Sequence, residues 1–526
     1  MFNRTSLQAS AAALASISLL AGCGLFGDEK ADVEQKIVVG TTSSPTTLDP
    51  AAAWDSSWEL YRNVFQTLMS FPTGSTVPQP DAADCRFKDT ASKIYECELR
   101  DGLQFSTGSK LDARAVKHSI DRIRAINAEG GPNGLLGSLD SVETTGDRIV
   151  TFRLKKSDAT FPFVRATPAM SIVEPASYPA DRLREDGKVV GSGPYNLEKY
   201  TPDVEAVLVK NPTYKGFADR KNTGVTIRYF SESEAMVAAL KKKEIDITYR
   251  GLTAEEIVDL REKKPENEGL QLVETTGAAI QYLVFDGDDE MTGKVAVRRA
   301  IAQLIDREAL VAKVYQGTAE PLYSMVPKGI VGHTTKFFDQ YGDPDVEKAR
   351  ELLAEADITK PVKLTFGYTT DRYGSSTAAE FAEIKRQLEA SGLFEVTLEG
   401  KPWKEFQPAY QKGAYQVFGR GWFPDFPDPD NFVAPFVGKE NVHADPYESP
   451  EITEQLLPES RRKSDRGAVT TQFEKAQEIL VKDVRLLPLW QGKQYVATSQ
   501  EIGGAERALD PQTVMQVWEL HRRTSW

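Results

Sequence analysis

The residue types that do covalent or metal chemistry are scarce in this chain, and their spacing excludes most of what they can do. The four histidines, His118, His333, His443 and His521, are scattered, and beyond Cys23 the only cysteines are Cys85 and Cys97. Neither of these two has a Cys or His at zinc-ligand spacing, so no metal and no resident cofactor is expected. There is no Gly-x-Ser-x-Gly and no His-Glu-x-x-His, which removes the common serine-hydrolase and zinc-protease arrangements. Gly287 to Lys294 falls short of a phosphate loop: five residues separate its glycines, and Val295 stands where Ser or Thr should hold magnesium. Asp425, Asp428, Asp430 and Asn431 lack calcium-loop spacing and are interleaved with prolines where ligating backbone must flex. What remains is recognition without turnover, so an enzyme is not expected.

The N-terminus gives an address. Met1 to Ser6 carries one positive charge, Leu7 to Leu20 is uncharged and rich in Ala, Leu and Ile, and Leu20-Ala21-Gly22-Cys23 follows. That order is a secretory signal, and its apolar run is short for a membrane span. Small residues before a Cys at the cleavage point match a lipobox, in which the Cys23 thiol takes a diacylglycerol and becomes the mature N-terminus. A plain secretory signal with an incidental Cys is the alternative. Residues 1–22 are therefore expected to be removed and the polar stretch 23–36 to act as a tether. With an extracytoplasmic address and an even count, Cys85 and Cys97 favour a disulfide, worth about 3 kcal/mol for so short a loop. Two buried free thiols are the alternative.

The elements that must position any binding groups alternate between strand and helix, an α/β class. Ile37 to Gly40 is a short buried-type strand. Ser57 to Met69 is expected as a helix, with Leu60, Val64 and Leu68 on one face. Asp112 caps a helix whose Val116, Ile120 and Ile123 share a stripe, leaving His118 on a solvated face. Val150, Phe152 and Leu154 alternate with Thr151 and Arg153 behind a Thr145-Gly146-Asp147 turn. Val225 to Ile227 is a strand, Ser233 caps a helix over Met236 to Lys243, and Ile245 to Ile247 is a strand. Val297, Ile301, Leu304 and Ile305 mark another helix; Phe381, Ile384 and Leu388 mark one stopping near Gly392. At 526 residues, two or three lobes are expected rather than one core. A net charge of -13 argues against nucleic acid.

Several separated strings then agree in order. They are Leu48-Asp49-Pro50; Leu99-Arg100-Asp101-Gly102-Leu103-Gln104-Phe105-Ser106-Thr107-Gly108, continued by Leu111, Ala113, Val116, Ser119 and Arg122; and Gly191-Ser192-Gly193-Pro194-Tyr195 with Asn211-Pro212-Thr213-Tyr214. Arg298-Arg299-Ala300 with Ile305-Asp306-Arg307 and Gly421-Trp422-Phe423-Pro424-Asp425-Phe426-Pro427-Asp428-Pro429 complete the set. From about Val38 onward the chain resembles the substrate-binding proteins of ABC importers in the peptide/nickel family (family 5). One departure is Arg114-Ala115, where an acidic pair is common; a surface change is expected.

The resemblance implies a bilobed periplasmic-binding-protein type II-like fold with an extra small domain and a ligand cleft between lobes. Residues 37–75, 190–276 and 492–526 would form lobe I, 76–189 the small domain and 277–491 lobe II, with hinges near Thr276 to Ile280 and Trp490 to Gln494. It implies an extracytoplasmic, lipid-anchored monomer on the outer face of the bacterial membrane, delivering a peptide to a permease driven by separate ATPases. A buried peptide amine needs a carboxylate, and the resemblance assigns that role to Asp425; Asp428 and Asp430 are expected as turn residues. Arg420 can receive a ligand carboxylate, or sit in an internal salt bridge. Trp422, Phe423, Trp403 and Trp490 are candidate apolar walls. Ser44 and Thr46, in the Ser43 to Thr47 loop, and the Tyr415 to Gly421 stretch are candidates for backbone pairing with a ligand. Other cargo (an oligosaccharide, an opine or a nickel chelate) and a secreted hydrolase are the competing readings.

Overall fold

A computed structural model describes residues 36–52, 57–262 and 264–523. The expected signal, the lipidated Cys23 and nearly all of the tether lie outside the described residues. The fold is built on one mixed sheet. In spatial order its path runs through Phe394–Lys401, Val362–Thr369, Val417–Trp422, Leu270–Phe285, Leu486–Ser499, Ile247–Tyr249, Ile37–Thr41, Gly224–Tyr229, Glu205–Lys210 and Tyr195–Thr201. Ile37–Thr41 pairs in parallel with a strand on each side, which is why it is apolar at nearly every position rather than alternating.

Two strands are much longer than the rest: Leu270–Phe285 has 16 residues and Leu486–Ser499 has 14. They pair antiparallel from Leu270 opposite Ser499 to Val284 opposite Leu486, with register shifts between Thr276 and Ile280 and between Gln281 and Tyr282. At the first shift Gly277 comes so close to its neighbour that a Cβ there would lie 2.6 Å from the Gly492 carbonyl oxygen. Only glycine fits so tight a bulge.

The apolar residues gather into separate cores on either side of that shift. The largest holds Ile37, Leu60, Val64, Val225 and Tyr249, and is completed by the C-terminal segment through Val514, Met515, Val517, Trp518 and Leu520. Residues of the 76–189 stretch, such as Tyr95, Leu99, Ile120 and Phe152, belong to this same core. Two further cores draw their buried residues from between Ala278 and Trp490. A smaller four-stranded sheet orders Ala83–Phe87, Ile94–Leu99, Ile149–Leu154 and Leu139–Thr145. In it Cys85 and Cys97 lie directly opposite and are joined by a disulfide.

Local expectations hold where the determinants are local. Asp112 caps Ala113–Ile126 by accepting from the Arg114 and Ala115 amides, with Val116, Ile120 and Ile123 buried. Ile149–Leu154 is a strand with its alternate residues Val150, Phe152 and Leu154 buried. Arg114 is on the surface, bonded to Asp112. Elsewhere neighbours intervene. The helix expected over Ser57 to Met69 spans only Trp58–Val64, and Phe65 is extended; the Val64 carbonyl turns to accept from the Gly193 amide. Ser233 is the first residue of its helix, Ser233–Lys241, rather than its cap, which falls on Glu232. The strand expected at Ile245 begins at Ile247, because Asp246 is taken up bonding the Val38 amide and Arg522. His118 is not fully solvated: its Nε2 lies 2.8 Å from the Tyr178 carbonyl oxygen.

Candidate functional site

Strand Val417–Trp422 and the turn that follows bring together most of the expected binding groups. Val417 and Phe418 are apolar and paired on both sides, by Phe285 and Val284 and by Phe366 and Gly367. From Gly419 to Trp422 pairing continues only with the Leu270–Phe285 strand. Pro424 and Pro427 then end the strand, since neither has an amide to donate. Asp428 caps the short turn Pro429–Phe432 through the Asp430 amide.

The carboxylates in this turn divide by partner. Asp428 is clamped by Arg466 at 2.7 and 2.8 Å, and Asp430 by Arg461 at 2.8 Å twice. Both are thus more than turn residues: bidentate buried ion pairs that fix the frame. Asp425 has a different role. Asn431 accepts from the Asp425 amide at 2.9 Å and from the Trp422 indole N–H at 3.2 Å, and donates through Nδ2 to Asp425 Oδ2 at 2.8 Å. One amide side chain therefore aims the Asp425 carboxyl, which is only 7% exposed.

Arg420, opposite Tyr282 on the neighbouring strand, is equally buried at 7% exposure. The alternative of an internal salt bridge is not realised among the described residues. Its Nη1 donates to the Tyr410 hydroxyl, its guanidinium lies 5.2 Å from the Trp403 ring centre and 5.2 Å from that of Tyr410, and its Nε has no hydrogen-bond partner. Burial opposes its charge, and the phenolic oxygens of Tyr373, Tyr282 and Tyr410 work against that cost. Among the described residues no carboxylate pairs with this buried guanidinium, so an anion brought to it would be held in a dry box.

Around Arg420 the aromatic rings form a connected wall. Trp403 is 6.2 Å from Tyr373, which is 6.3 Å from Phe423, and Phe423 is 54% exposed. Trp422 sets its edge against Phe436 at 5.1 Å. The exposed Arg372 stacks on Trp403 at 4.2 Å, so two guanidiniums share one indole. Arg372, Tyr373 and Asn431 were not anticipated from sequence. The available signal for the first two was their place just beyond the C-terminal end of a parallel strand, Val362–Thr369, where α/β sheets bind ligands.

Two other expectations come out differently. In the Ser43 to Thr47 loop the Thr46 and Thr47 amides are already held by Ser57 Oγ at 3.0 and 3.4 Å, so these donors are spent within the protein. Ser44 is half-buried and Thr46 exposed. Trp490 lies in a core instead of on the aromatic wall, 4.4 Å from the Tyr315 ring, its indole N–H bonded to Glu380 at 3.2 Å.

That contact carries a prediction. Burial pushes the Glu380 carboxyl up to about 7, against the pull of its hydrogen bonds from Tyr315 and Trp490. In the unfolded chain the group ionises near its ordinary value, so the folded form alone keeps the proton between those two pKa values. Stability from this residue is thus full at low pH and is lost as pH rises from about 4.5 to about 7, a change on the order of 3 kcal/mol. Glu380→Gln, which cannot ionise, is expected to flatten the slope. Melting of both proteins from pH 4.5 to 8 checks it, and parallel pH profiles would refute it.

With this geometry in place, the comparisons with known proteins agree. Residues 77–444 match the model for bacterial extracellular solute-binding proteins, family 5. The chain is 27% identical over 486 residues to the probable D,D-dipeptide-binding periplasmic protein DdpA of Escherichia coli, covering 89% of this chain and 90% of that one. Its fold superposes with a TM-score of 0.77 on the ABC transporter-associated periplasmic binding protein DppA of Helicobacter pylori, solved in complex with the peptide STSA, at 23% identity and covering 93% of this chain and 98% of that one. HbpA2 of Haemophilus parasuis gives a TM-score of 0.80 at 20% identity, covering 93% and 100%. With its matched region spanning most of its length, the chain belongs to the family 5 extracellular solute-binding proteins, the non-enzymatic, extracytoplasmic substrate-binding components of ABC importers.

Proposed function

We propose that the protein captures peptides that have both ends free, holding the α-amine at Asp425 and the carboxylate at Arg420. The observation that carries this reading is Arg420 itself: a buried guanidinium with no carboxylate partner among the described residues, boxed by Trp403, Tyr410 and Tyr373. Asp425, aimed by Asn431 from the end of the same strand, supplies the opposite charge. Arg372 stands beside Arg420 across Trp403 and reinforces the anion preference. Between the two ends, the side of Gly419 to Trp422 that faces away from the Leu270–Phe285 strand, where the Tyr373 hydroxyl meets the Gly421 carbonyl at 3.4 Å, offers backbone groups, which bind any sequence. The exposed Phe423 offers a face tolerant of varied side chains.

In this reading residues 37–75, 190–276 and 492–526 act as one lobe, 76–189 as an appended small domain sharing that lobe's core, and 277–491 as the other lobe. The register shift at Thr276 to Ile280, facing Trp490 to Gln494, is the hinge. Support comes from the partition of the cores on either side of it. Cys23 anchors the monomer by lipid to the outer face of the membrane, beside the permease that receives the cargo.

Calorimetric titration with trialanine, its N-acetyl form and its C-terminal amide tests the peptide reading. Saturable binding of trialanine is expected, weakened at least tenfold by either block. Equal affinity for all three, or no binding beside a different solute retained in native mass spectrometry, would overturn it.

A further inference from the structure

The turn that carries Asp425 is gripped from the other side of the hinge. Gln512, in the C-terminal segment that completes the first core, donates through Nε2 to the backbone carbonyl of Asp425. The Gln512 side chain is 5% exposed and its Oε1 accepts from Arg62 Nη2 at 2.9 Å, while the Gln512 backbone N–H donates to Asp510 Oδ1 at 2.8 Å. Arg62 in turn lies 3.4 Å from Asp510 and donates to Ser70 and to the Ala166 carbonyl. The orientation of the Gln512 amide is therefore fixed, since the oxygen must face Arg62 and the NH2 group must face Asp425.

The next residue makes the same crossing. Phe426, 5% exposed, belongs to the first core rather than to those of its own segment, with its ring 6.0 Å from Phe163. At the far end of the turn Arg461, the partner of Asp430, accepts through its carbonyl from the Ala159 amide at 2.8 Å. The turn is thus attached to the opposite side at Asp425 itself, at Phe426 and, through Arg461, at Asp430.

We infer that Gln512 is a positioning residue that latches the cleft shut by holding the Asp425 turn, so that cargo release requires breaking this contact. The inference rests on the reading of Asp425 as a binding residue. A hydrogen bond formed only in the closed arrangement stabilises that arrangement alone and so acts on the dissociation rate. The Asp425 side chain meets the cargo, and Gln512 acts through the Asp425 backbone.

Gln512→Glu separates latching from folding. A carboxylate still accepts from Arg62, but it cannot donate, and it faces the Asp425 carbonyl with like partial charge. Trialanine is expected to dissociate from this variant about tenfold faster in stopped flow, with the melting midpoint of the ligand-free protein unchanged. In solution scattering, saturating trialanine should contract the variant less than the wild type. Should the new carboxylate lower the midpoint, Gln512→Met, which also cannot donate, carries the same expectations. Unchanged dissociation and equal contraction in a folded variant would overturn the latch. If trialanine does not bind the wild type, the peptide reading fails on its own; the latch is then judged on the ligand-free proteins, where the variant must have the larger radius of gyration and equal radii reject it.

Discussion

Asp425→Asn is expected to weaken binding of a free-amine peptide by about 2 kcal/mol or more, roughly a thirtyfold loss. Asparagine keeps the size of the side chain and an oxygen to accept from Asn431 Nδ2. The Pro424 to Pro427 turn, framed independently by the Asp428–Arg466 and Asp430–Arg461 pairs, should therefore stay in place. What is lost is the negative charge, and a desolvated ammonium facing a neutral amide is poorly compensated. N-acetylated peptide has no ammonium to place, so it should bind weakly to both proteins alike. Calorimetry with the paired peptides measures this, and equal affinity of mutant and wild type for the free-amine peptide would remove Asp425 from the site.

Arg420→Met should change stability and affinity in opposite directions. The ligand-free protein holds a buried cation without an anion, and replacing such a charge by an apolar chain of similar length commonly stabilises, here by about 1 kcal/mol. Methionine also packs well against the rings of Trp403 and Tyr410. Affinity for a peptide with a free carboxylate should fall by about 2 kcal/mol or more, because its carboxylate then enters a dry aromatic box without a counter-charge. Affinity for the C-terminal amide should barely change. Melting curves and titrations on the same preparation test both halves. A lowered melting midpoint with unchanged affinity would make Arg420 a structural cation instead.

The sequence made the family pattern and several elements legible because their causes are local. The cap at Asp112 and the alternation of Val150, Phe152 and Leu154 depend on neighbours a few residues away. The early stop at Val64 depends on Gly193, and the displaced start at Ile247 on Arg522; periodicity cannot register either. The same distinction governs the site. Asp425 and Trp422 belong to one contiguous string, Gly421 to Pro429, whose resemblance points to them, and Arg420 directly precedes it. Arg372 reaches Trp403 from another strand end, and Gln512 reaches Asp425 across 87 positions. Trp490 shows the converse: its ring type suited a ligand wall, but Tyr315 and Glu380, both distant in sequence, draw it into a core.

The route of the C-terminal segment bears on how such a chain leaves the cell. The first core contains Ile37 and Val39 from the beginning of the described chain, and it closes only when Val517, Trp518 and Leu520 arrive. Trp518 alone, at 2% exposure, is a side chain whose absence from a core costs about 3–5 kcal/mol. Until that segment is made the first core therefore lacks an essential wall, and contacts of such long sequence separation form slowly. A polypeptide bound for the far side of a membrane gains from that delay. It remains threadable during the crossing, and acquires its folded shape on the far side.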